Sequence, residues 1–515
     1  MRQVHFIAAL VLVLLSCNDS SNIDETDIYD LALAKIYNQD LHPFYHGVAS
    51  GDPQNHSVII WTKVTPDNDQ ELEVTWNVSQ HESMDPVLQS GKTTTSKSTD
   101  YTVNVDVGNL RPGEYYYYQF TFEGNKSVVG RTKTLPDASI DSLSIGVVSC
   151  SNYEWGYFNS YRMLSEKNVD FVLHLGDYIY EYGPGTYGDT TIGRVVIPPY
   201  EILKLKDYRQ RYSQYRLDPD LQEIHRKHPF ICIWDDHEVS NDSYAEGAQN
   251  HQAEEGSYLN RMNAAKQAYY EWIPIRGKAS DLHYRSFEMG NFAQLLMLDE
   301  RLAGRTKPAE SYAQISDESR MLGQEQLEWL FERLDSDKSS WNIIGNSVIF
   351  SDLNLVGLRE NRVNLDAWDG FPYEKREIVN YFSNNPSERA IFLTGDTHSS
   401  WAFNSPSKDI ADPVNRTPSA AILEFGTPSV NSANADERST EDEVNSAQKQ
   451  ILSQNPHLEY VNLSDHGYMI ITLFENEGHT DWYYVDNLRS RTASETKEHA
   501  IRFLISQDGA MRFDN

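Results

Sequence analysis

Several apolar segments of this chain end in side chains that can bind metal ions. The stretch LTGDTHSS, residues 393–400, closes an apolar run with an acid and an imidazole two residues apart, and three other segments end in a comparable way. The side chains concerned are Cys150; Asp177 and Tyr180; Asp235, Asp236, His237 and Asn241; Asp396 and His398. Carboxylates bind hard cations and bridge pairs of them, and imidazole suits transition metals. The set therefore predicts a metal site.

Two cations at such a site could act on phosphate esters. When they lie about 3.5–4 Å apart, they clamp a phosphoryl group and generate hydroxide at neutral pH. A thiol and a phenol must each lose a proton to bind, so Cys150 and Tyr180 on one ion favour a strongly acidic metal such as ferric iron. Each motif alone also has a structural explanation, as a turn or a helix N-terminus.

The surrounding sequence predicts how these side chains are brought together. From about residue 137, buried strand patterns alternate with helical ones, which indicates a layered α/β domain. In such sheets the loops at the carboxyl ends of the strands converge, so the candidate ligands can form one cluster. Residues 45–136 instead read as short strands separated by turn signals, which is typical of a small β-sandwich. The acidic segment from about 430 to 460 suggests a surface insertion.

Length and charge limit the classes of function. A chain of 515 residues is too long for one core. Its net charge of −32 argues against a nucleic-acid partner, because nonspecific binding to polyanions needs a basic surface. An acidic protein that handles an anionic substrate must concentrate positive charge locally, and metal ions do so.

The N-terminus predicts export and anchoring. Arg2 is followed by the apolar run FIAALVLVLL and then by Cys17 in LLSC. The run is too short to span a bilayer, and LLSC resembles a bacterial lipoprotein signal. We expect residues 1–16 to be a signal peptide, Cys17 to carry the lipid that attaches the protein to a membrane, and residues 17–44 to be a tether, in the periplasm or at the cell surface. An ordinary secretory signal is the alternative.

The ordered motifs resemble a known family. They are GVASGDP (47–53), SCSNY (149–153), LGDYIYEY (175–182), YRQRYSQYRLDPDLQ (208–222), WDDHEVSND (234–242) and GDTHSS (395–400). Together they are similar to the PhoD-type alkaline phosphatases and phosphodiesterases of the metallophosphatase superfamily. The resemblance implies an α/β fold, with a four-layer αββα catalytic domain over residues 137–515 after the sandwich, and a site that holds ferric iron (Fe³⁺) and calcium (Ca²⁺).

The resemblance also implies a role for each side chain. Asp177 would bridge the metals; Cys150 and Tyr180 would bind iron with His398 or Asp396; Asp236 and Asn241 would serve the second metal; His237 would help the leaving group depart; Arg301 would hold the phosphate. Either Asp235 or Asp236 could face the metal, since adjacent strand positions point to opposite faces. Asn346 stands either near the metals or in a turn.

These implications predict an enzyme that hydrolyses phosphomonoesters, phosphodiesters or both, by means of a metal-bound hydroxide. Two alternatives remain at this stage. One is a cell-surface binding lipoprotein without turnover, since a fold does not fix a function. The other is an enzyme similar to purple acid phosphatases, which also have a GDxxY element. The sequence does not indicate the natural substrate.

Overall fold

A computed structural model describes residues 25–336, 339–385, 388–404, 422–505 and 511–514. The predicted signal peptide and Cys17 lie outside these residues. The chain divides into two compact units, residues 1–37 and 38–515. In the first, helix α1 (Glu25–Ala34) occupies part of the expected tether. Within the described ranges, no helix has the length and apolar character needed to cross a membrane.

The second unit begins with the strands predicted for a sandwich. They are β1 (Val48–Gly51), β2 (Val58–Lys63), β3 (Leu72–Ser79), β4 (Val87–Thr95), β5 (Thr102–Val107), β6 (Tyr115–Phe122), β7 (Asn125–Lys126) and β8 (Gly130–Lys133). A core that includes Val48, Ile60, Val74 and Phe120 lies between the β1-β2-β5 and β3-β6 layers. β1 also pairs in parallel with a later strand that begins at Pro229, so three sandwich strands extend the larger sheet described next.

Strands and helices then alternate, as expected. The strands are β9 (Leu143–Val148), β10 (Phe171–Leu175), β11 (Pro229–Ile233), β12 (Arg285–Met289), β13 (Ala293–Met297), β14 (Trp341–Asn346), β15 (Ala390–Thr394), β16 (Ser400–Asn404), β17 (Ile422–Gly426), β18 (Leu458–Asn462), β19 (Gly467–Leu473), β20 (Glu477–Val485), β21 (Glu495–Ile505) and β22 (Met511–Asp514). The helices are α2 (Asn159–Ser165), α3 (Leu205–Arg216), α4 (Pro219–Lys227), α5 (Tyr258–Trp272), α6 (Gln324–Ser336), α7 (Pro372–Asn384) and α8 (Glu441–Gln454).

The strands form two facing sheets. One has the order β22-β21-β20-β19-β9-β10-β11-β1-β2-β5, and the other β12-β13-β14-β15-β17-β16-β18. Successive side chains of a strand point to opposite faces. On β11, Ile231 and Ile233 therefore enter the core between the sheets, while Phe230 and Cys232 pack against α3 and α5. A third core joins the other sheet to α6, α7 and α8. These cores give the predicted four-layer αββα arrangement, and the fold class is confirmed.

Candidate metal centre

The predicted ligands lie where strands of the two sheets end. Cys150 follows β9, Asp177 follows β10, and Asp396 and His398 follow β15. All four have the left-handed backbone that favours glycine, with φ between 57° and 61°. Non-glycine residues adopt this conformation at a cost, and it is concentrated at functional sites. The left-handed conformation therefore bends the backbone sharply away from each strand at the position of a candidate ligand.

A glycine lets two of these strand ends approach each other. Gly176, with φ of 98°, lies directly before Asp177. A Cβ atom at this position would come within 2.5 Å of the backbone nitrogen of Asp235. The contact leaves no room for a side chain, so glycine before the first acid keeps the ends of β10 and β11 together.

The first group of donors contains Cys150, Asp177 and His398, whose ligand atoms all lie within 4.8 Å of one another. The Tyr180 hydroxyl lies 3.0 Å from Asp177 Oδ2 and 3.2 Å from His398 Nε2. His398 Nδ1 donates to the carbonyl oxygen of Ala433 at 2.7 Å. This hydrogen bond leaves the lone pair of Nε2 facing the other donors, as a metal-binding imidazole requires.

The second group contains Asp177, Asp236 and His237, again with ligand atoms within 4.8 Å of one another. His237 Nδ1 donates to Glu181 Oε2 at 2.7 Å. Burial alone would lower the pKa of His237, but Asp236, Glu181 and Asp177 together raise it well above its usual value. Burial would raise the pKa of Asp236, but Arg301 and His237 lower it to about 2. Asp177 thus belongs to both groups.

The donors have unmet charge and hydrogen-bonding requirements that cations would satisfy. Asp177 Oδ1 and Asp236 Oδ1 are buried and accept no hydrogen bond from the described residues. Burial and then Asp177 raise the pKa of both Cys150 and Tyr180 well above their usual values. A buried thiolate and phenolate beside carboxylates therefore need a strongly charged cation. The donor set fits the metals that the family resemblance implies.

The adjacent acids of the DDH motif have different surroundings. Asp236 lines the cavity over the metal centre. Asp235 is fully buried and accepts from Arg301 Nε at 2.5 Å. Of the two, the geometry favours Asp236 as a ligand.

Arg301 lies beneath the site and does not line the cavity. Its side chain is fully buried and also donates to Asp366 Oδ2 at 2.7 Å. Its Nη2 lies 3.9 Å from Asp236 Oδ1 and 3.7 Å from Asp396 Oδ1. This placement indicates that Arg301 holds carboxylates in position. It does not favour the contact with phosphate that was predicted from the sequence.

Two amide side chains of uncertain role are also placed. Asn241 lines the cavity, and its amide donates to Gln249 Oε1 at 3.1 Å. Asn346 is fully buried, donates to Thr394 Oγ1 at 3.2 Å and accepts from Trp368 Nε1 at 3.0 Å. Its contacts are those of a structural residue.

Several side chains that orient the donors were not predicted from the sequence. They are Glu181, which bonds His237; Glu238, which accepts from backbone N–H groups of Asp177, Tyr178 and Asp235; Tyr187, beside His398; and Ser432, which donates to Tyr180. Glu181 and Glu238 lie within the family motifs, next to Tyr180 and His237. Their positions in the sequence could therefore have indicated that they support the site. No signal of this kind marked Ser432, because it lies in the segment from about 430 to 460 that was expected to be a surface insertion. Residues 429–434 are instead buried against the site.

The metal centre opens into a cavity of about 550 Å³. Asp177, Asp236, His237, Asp396 and His398 lie at its base. A further part of the wall is apolar and includes Leu353, Leu355, Leu358, Ile451 and Leu463. A cavity of this size, with a polar base and an apolar part of the wall, can hold a small-molecule ligand.

Comparison with known proteins decides the family. The profile described as PhoD-like phosphatase matches residues 145–482, and that of its N-terminal domain matches residues 31–136. The chain belongs to the PhoD-like phosphatases. Alkaline phosphatase D of Bacillus subtilis (strain 168) is 35% identical over 465 residues, which are 86% of this chain and 77% of that protein. A solved structure of PhoD is 31% identical, with a TM-score of 0.82 over 93% of each chain.

As a member of the PhoD-like phosphatases, the chain is a metal-dependent phosphate ester hydrolase. The family resemblance and the enzyme class predicted from the sequence are therefore confirmed. Membership also favours this function over a binding lipoprotein and over an enzyme similar to purple acid phosphatases.

Proposed function

We propose that the enzyme hydrolyses phosphomonoesters and phosphodiesters at a two-metal centre bridged by Asp177. The observation that carries this proposal is that Asp177 belongs to two clusters, one with Cys150 and His398 and one with Asp236, where His237 lies beside the carboxylates. A carboxylate common to both groups is the arrangement that a bridging ligand requires. The name of the Bacillus subtilis relative supports alkaline phosphatase activity.

We assign ferric iron to the first group and calcium to the second. Cys150, Tyr180, Asp177 and His398 would hold iron, with Asp396 beside them, and Asp236 and Asn241 would hold calcium. The bound metals would activate water and neutralise charge on the phosphoryl group. The thiolate and phenolate ligands support iron, because both favour a strongly acidic metal. The oxygen donors support calcium.

The other side chains would position groups and move a proton. Glu181 accepts from His237 Nδ1, and a proton on His237 Nε2 would be donated to the oxygen of the departing alcohol. Arg301 would hold Asp235 and Asp366 in place beneath the centre. No covalent bond between enzyme and substrate is required, since water is the nucleophile.

Metal analysis combined with turnover tests this function. The purified protein should contain iron and calcium and should hydrolyse both 4-nitrophenyl phosphate and bis(4-nitrophenyl) phosphate. Removal of metals by a chelator should abolish both activities, and readdition of iron with calcium should restore them. Hydrolysis that persists after complete metal removal would contradict the proposal.

We also propose that a lipid on Cys17 anchors the protein at a membrane. The support is the LLSC motif after a short apolar run. Cys17→Ser should shift the protein from the membrane fraction to the soluble fraction, because the acyl chains are lost. Fractionation followed by immunoblotting measures this shift, and a variant that stays with the membrane would contradict the anchor.

A further inference from the structure

The wall of the cavity carries mostly negative charge. Six aspartates line the cavity: Asp177, Asp236, Asp242, Asp366, Asp369 and Asp396. Arg301 is not on this wall: its Nε and Nη1 donate to Asp235 and Asp366, while its Nη2 donates no hydrogen bond to the described residues and lies near Asp236 and Asp396. The arginines that do line the cavity are Arg359 and Arg438.

Arg438 lies beside the aromatic wall of the metal centre. Its guanidinium carbon is 5.4 Å from the centre of the Tyr187 ring. The Tyr187 hydroxyl is 3.2 Å from His398 Nδ1, and its ring stacks on that of His237 with the centroids 6.1 Å apart. One tyrosine therefore links Arg438 to both donor groups. Arg359, in contrast, contacts Asn364 Oδ1 at 3.4 Å, away from these rings.

The guanidinium of Arg438 is available to a ligand. The residue is exposed, and its side chain forms no ion pair or hydrogen bond with the part of the chain that the structure describes. A planar guanidinium matches the oxygens of a phosphoryl group.

The loop that carries Arg438 is held in place. Glu437, the preceding residue, accepts from the backbone N–H of Asn434 at 2.6 Å and contacts His466 Nε2 at 2.9 Å. The same loop orients His398 through the carbonyl oxygen of Ala433. The base of the Arg438 side chain is thus fixed relative to the metal centre, which lowers the entropy cost of binding a ligand.

We propose that Arg438 binds a non-bridging oxygen of the phosphoryl group under attack, the role that the sequence suggested for Arg301. This inference rests on the proposed reaction at the metal centre. Because the contact is made to the phosphoryl group itself, we expect replacement of Arg438 to weaken the binding of a doubly charged monoester more than that of a singly charged diester.

Binding of inorganic phosphate to the metal-loaded protein tests this inference without turnover. Titration calorimetry should show that Arg438→Gln weakens phosphate binding about tenfold, the low end for a charged hydrogen bond because the side chain is exposed. Arg438→Lys should recover part of the loss. Iron and calcium contents should remain those of the unmodified protein.

Arg376 provides a matched control, because it is exposed and its guanidinium carbon lies 5.3 Å from the centre of the Tyr373 ring, outside the cavity. Arg376→Gln should leave phosphate binding unchanged. The inference is overturned if the Arg438→Gln protein binds inorganic phosphate as tightly as the unmodified protein, or if it loses its metals together with phosphate binding. It is also overturned if the substitution weakens only the binding of an ester that carries a second phosphate. Absence of turnover in the unmodified protein would instead contradict the proposed function.

Discussion

At the scale of single residues, the centre depends on groups whose protonation is set by their neighbours. Cys150 and Tyr180 are buried beside carboxylates, which keeps both protonated until a cation binds. His237 has the opposite tendency, since three carboxylates keep it charged. The same acids thus favour positive charge at the site, whether it is carried by a metal ion or by the His237 imidazole.

The role of His237 can be separated from metal binding. His237→Ala should lower kcat by roughly 10²–10⁴ while both metals stay bound, because the proton donor to the leaving group is lost. The loss should be largest for alkyl phosphates and smaller for 4-nitrophenyl phosphate, whose leaving group needs no proton. Steady-state kinetics and metal analysis measure these effects. An equal loss on all substrates, together with metal depletion, would make His237 a ligand.

At the scale of elements, the site depends on how strand ends are fastened together. Glu238 is fully buried and accepts from the backbone N–H groups of Asp177 at 3.1 Å, Tyr178 at 2.6 Å and Asp235 at 2.9 Å. A single carboxylate thereby joins the ends of β10 and β11. These hydrogen bonds to one carboxyl group fix the backbone from which the bridging acid projects.

Glu238→Gln should therefore weaken metal binding as well as the fold. An amide has one acceptor oxygen, so we expect a loss of about 1–3 kcal/mol in the free energy of unfolding and of about 10- to 100-fold in metal affinity. Glu374 is a matched control, since its carboxylate accepts from the backbone N–H groups of Met321 and Leu322 outside the cavity. Glu374→Gln should lose stability but keep its metals. Equal metal affinity in the two variants would contradict this role of Glu238.

Some elements of the site could be predicted from the sequence, and others could not. Strands that end in Cys150, Asp177 and Asp396 could be predicted, because a strand buried on both faces is a continuous apolar run with a visible end. The buried position of Ser432 and Ala433 could not be predicted, because polar composition alone indicates exposure. Arg301 shows the same limit in reverse: the family resemblance suggested contact with the phosphate, whereas the burial of its side chain depends on the fold around it.

At the scale of the whole molecule, buried histidines make stability depend on pH. Burial lowers the pKa of His174 to about 3 and that of His228 to about 4. In the unfolded chain a histidine has a pKa near 6.5, so between about pH 6.5 and 4 only the unfolded state takes up these protons. The contribution of these two histidines to the free energy of unfolding should fall as the pH decreases through this range, by at most about 1.4 kcal/mol per pH unit for each histidine.

Replacing one of these histidines should flatten the pH dependence. His174→Gln removes a side chain that contacts the Tyr161 hydroxyl at 2.8 Å, so some stability is lost at every pH. The informative quantity is the slope of unfolding free energy against pH between 6.5 and 4, measured by urea denaturation, which should be lower than in the unmodified protein. His81→Gln, at an exposed position, is the control. Identical slopes in all three proteins would contradict this account.

The metal centre itself is tested most directly by exchanging its cysteine. Cys150 and Cys232 are both buried and free of disulfide bonds, but Cys232 packs in the core between a sheet and its helices. Cys150→Ala should lose iron, the visible absorption of its thiolate and phenolate ligands, and hydrolysis together, whereas Cys232→Ala should keep all three. Metal analysis, an absorption spectrum and one turnover assay on each protein suffice. A Cys150→Ala protein with unchanged iron and full activity would contradict the proposed centre.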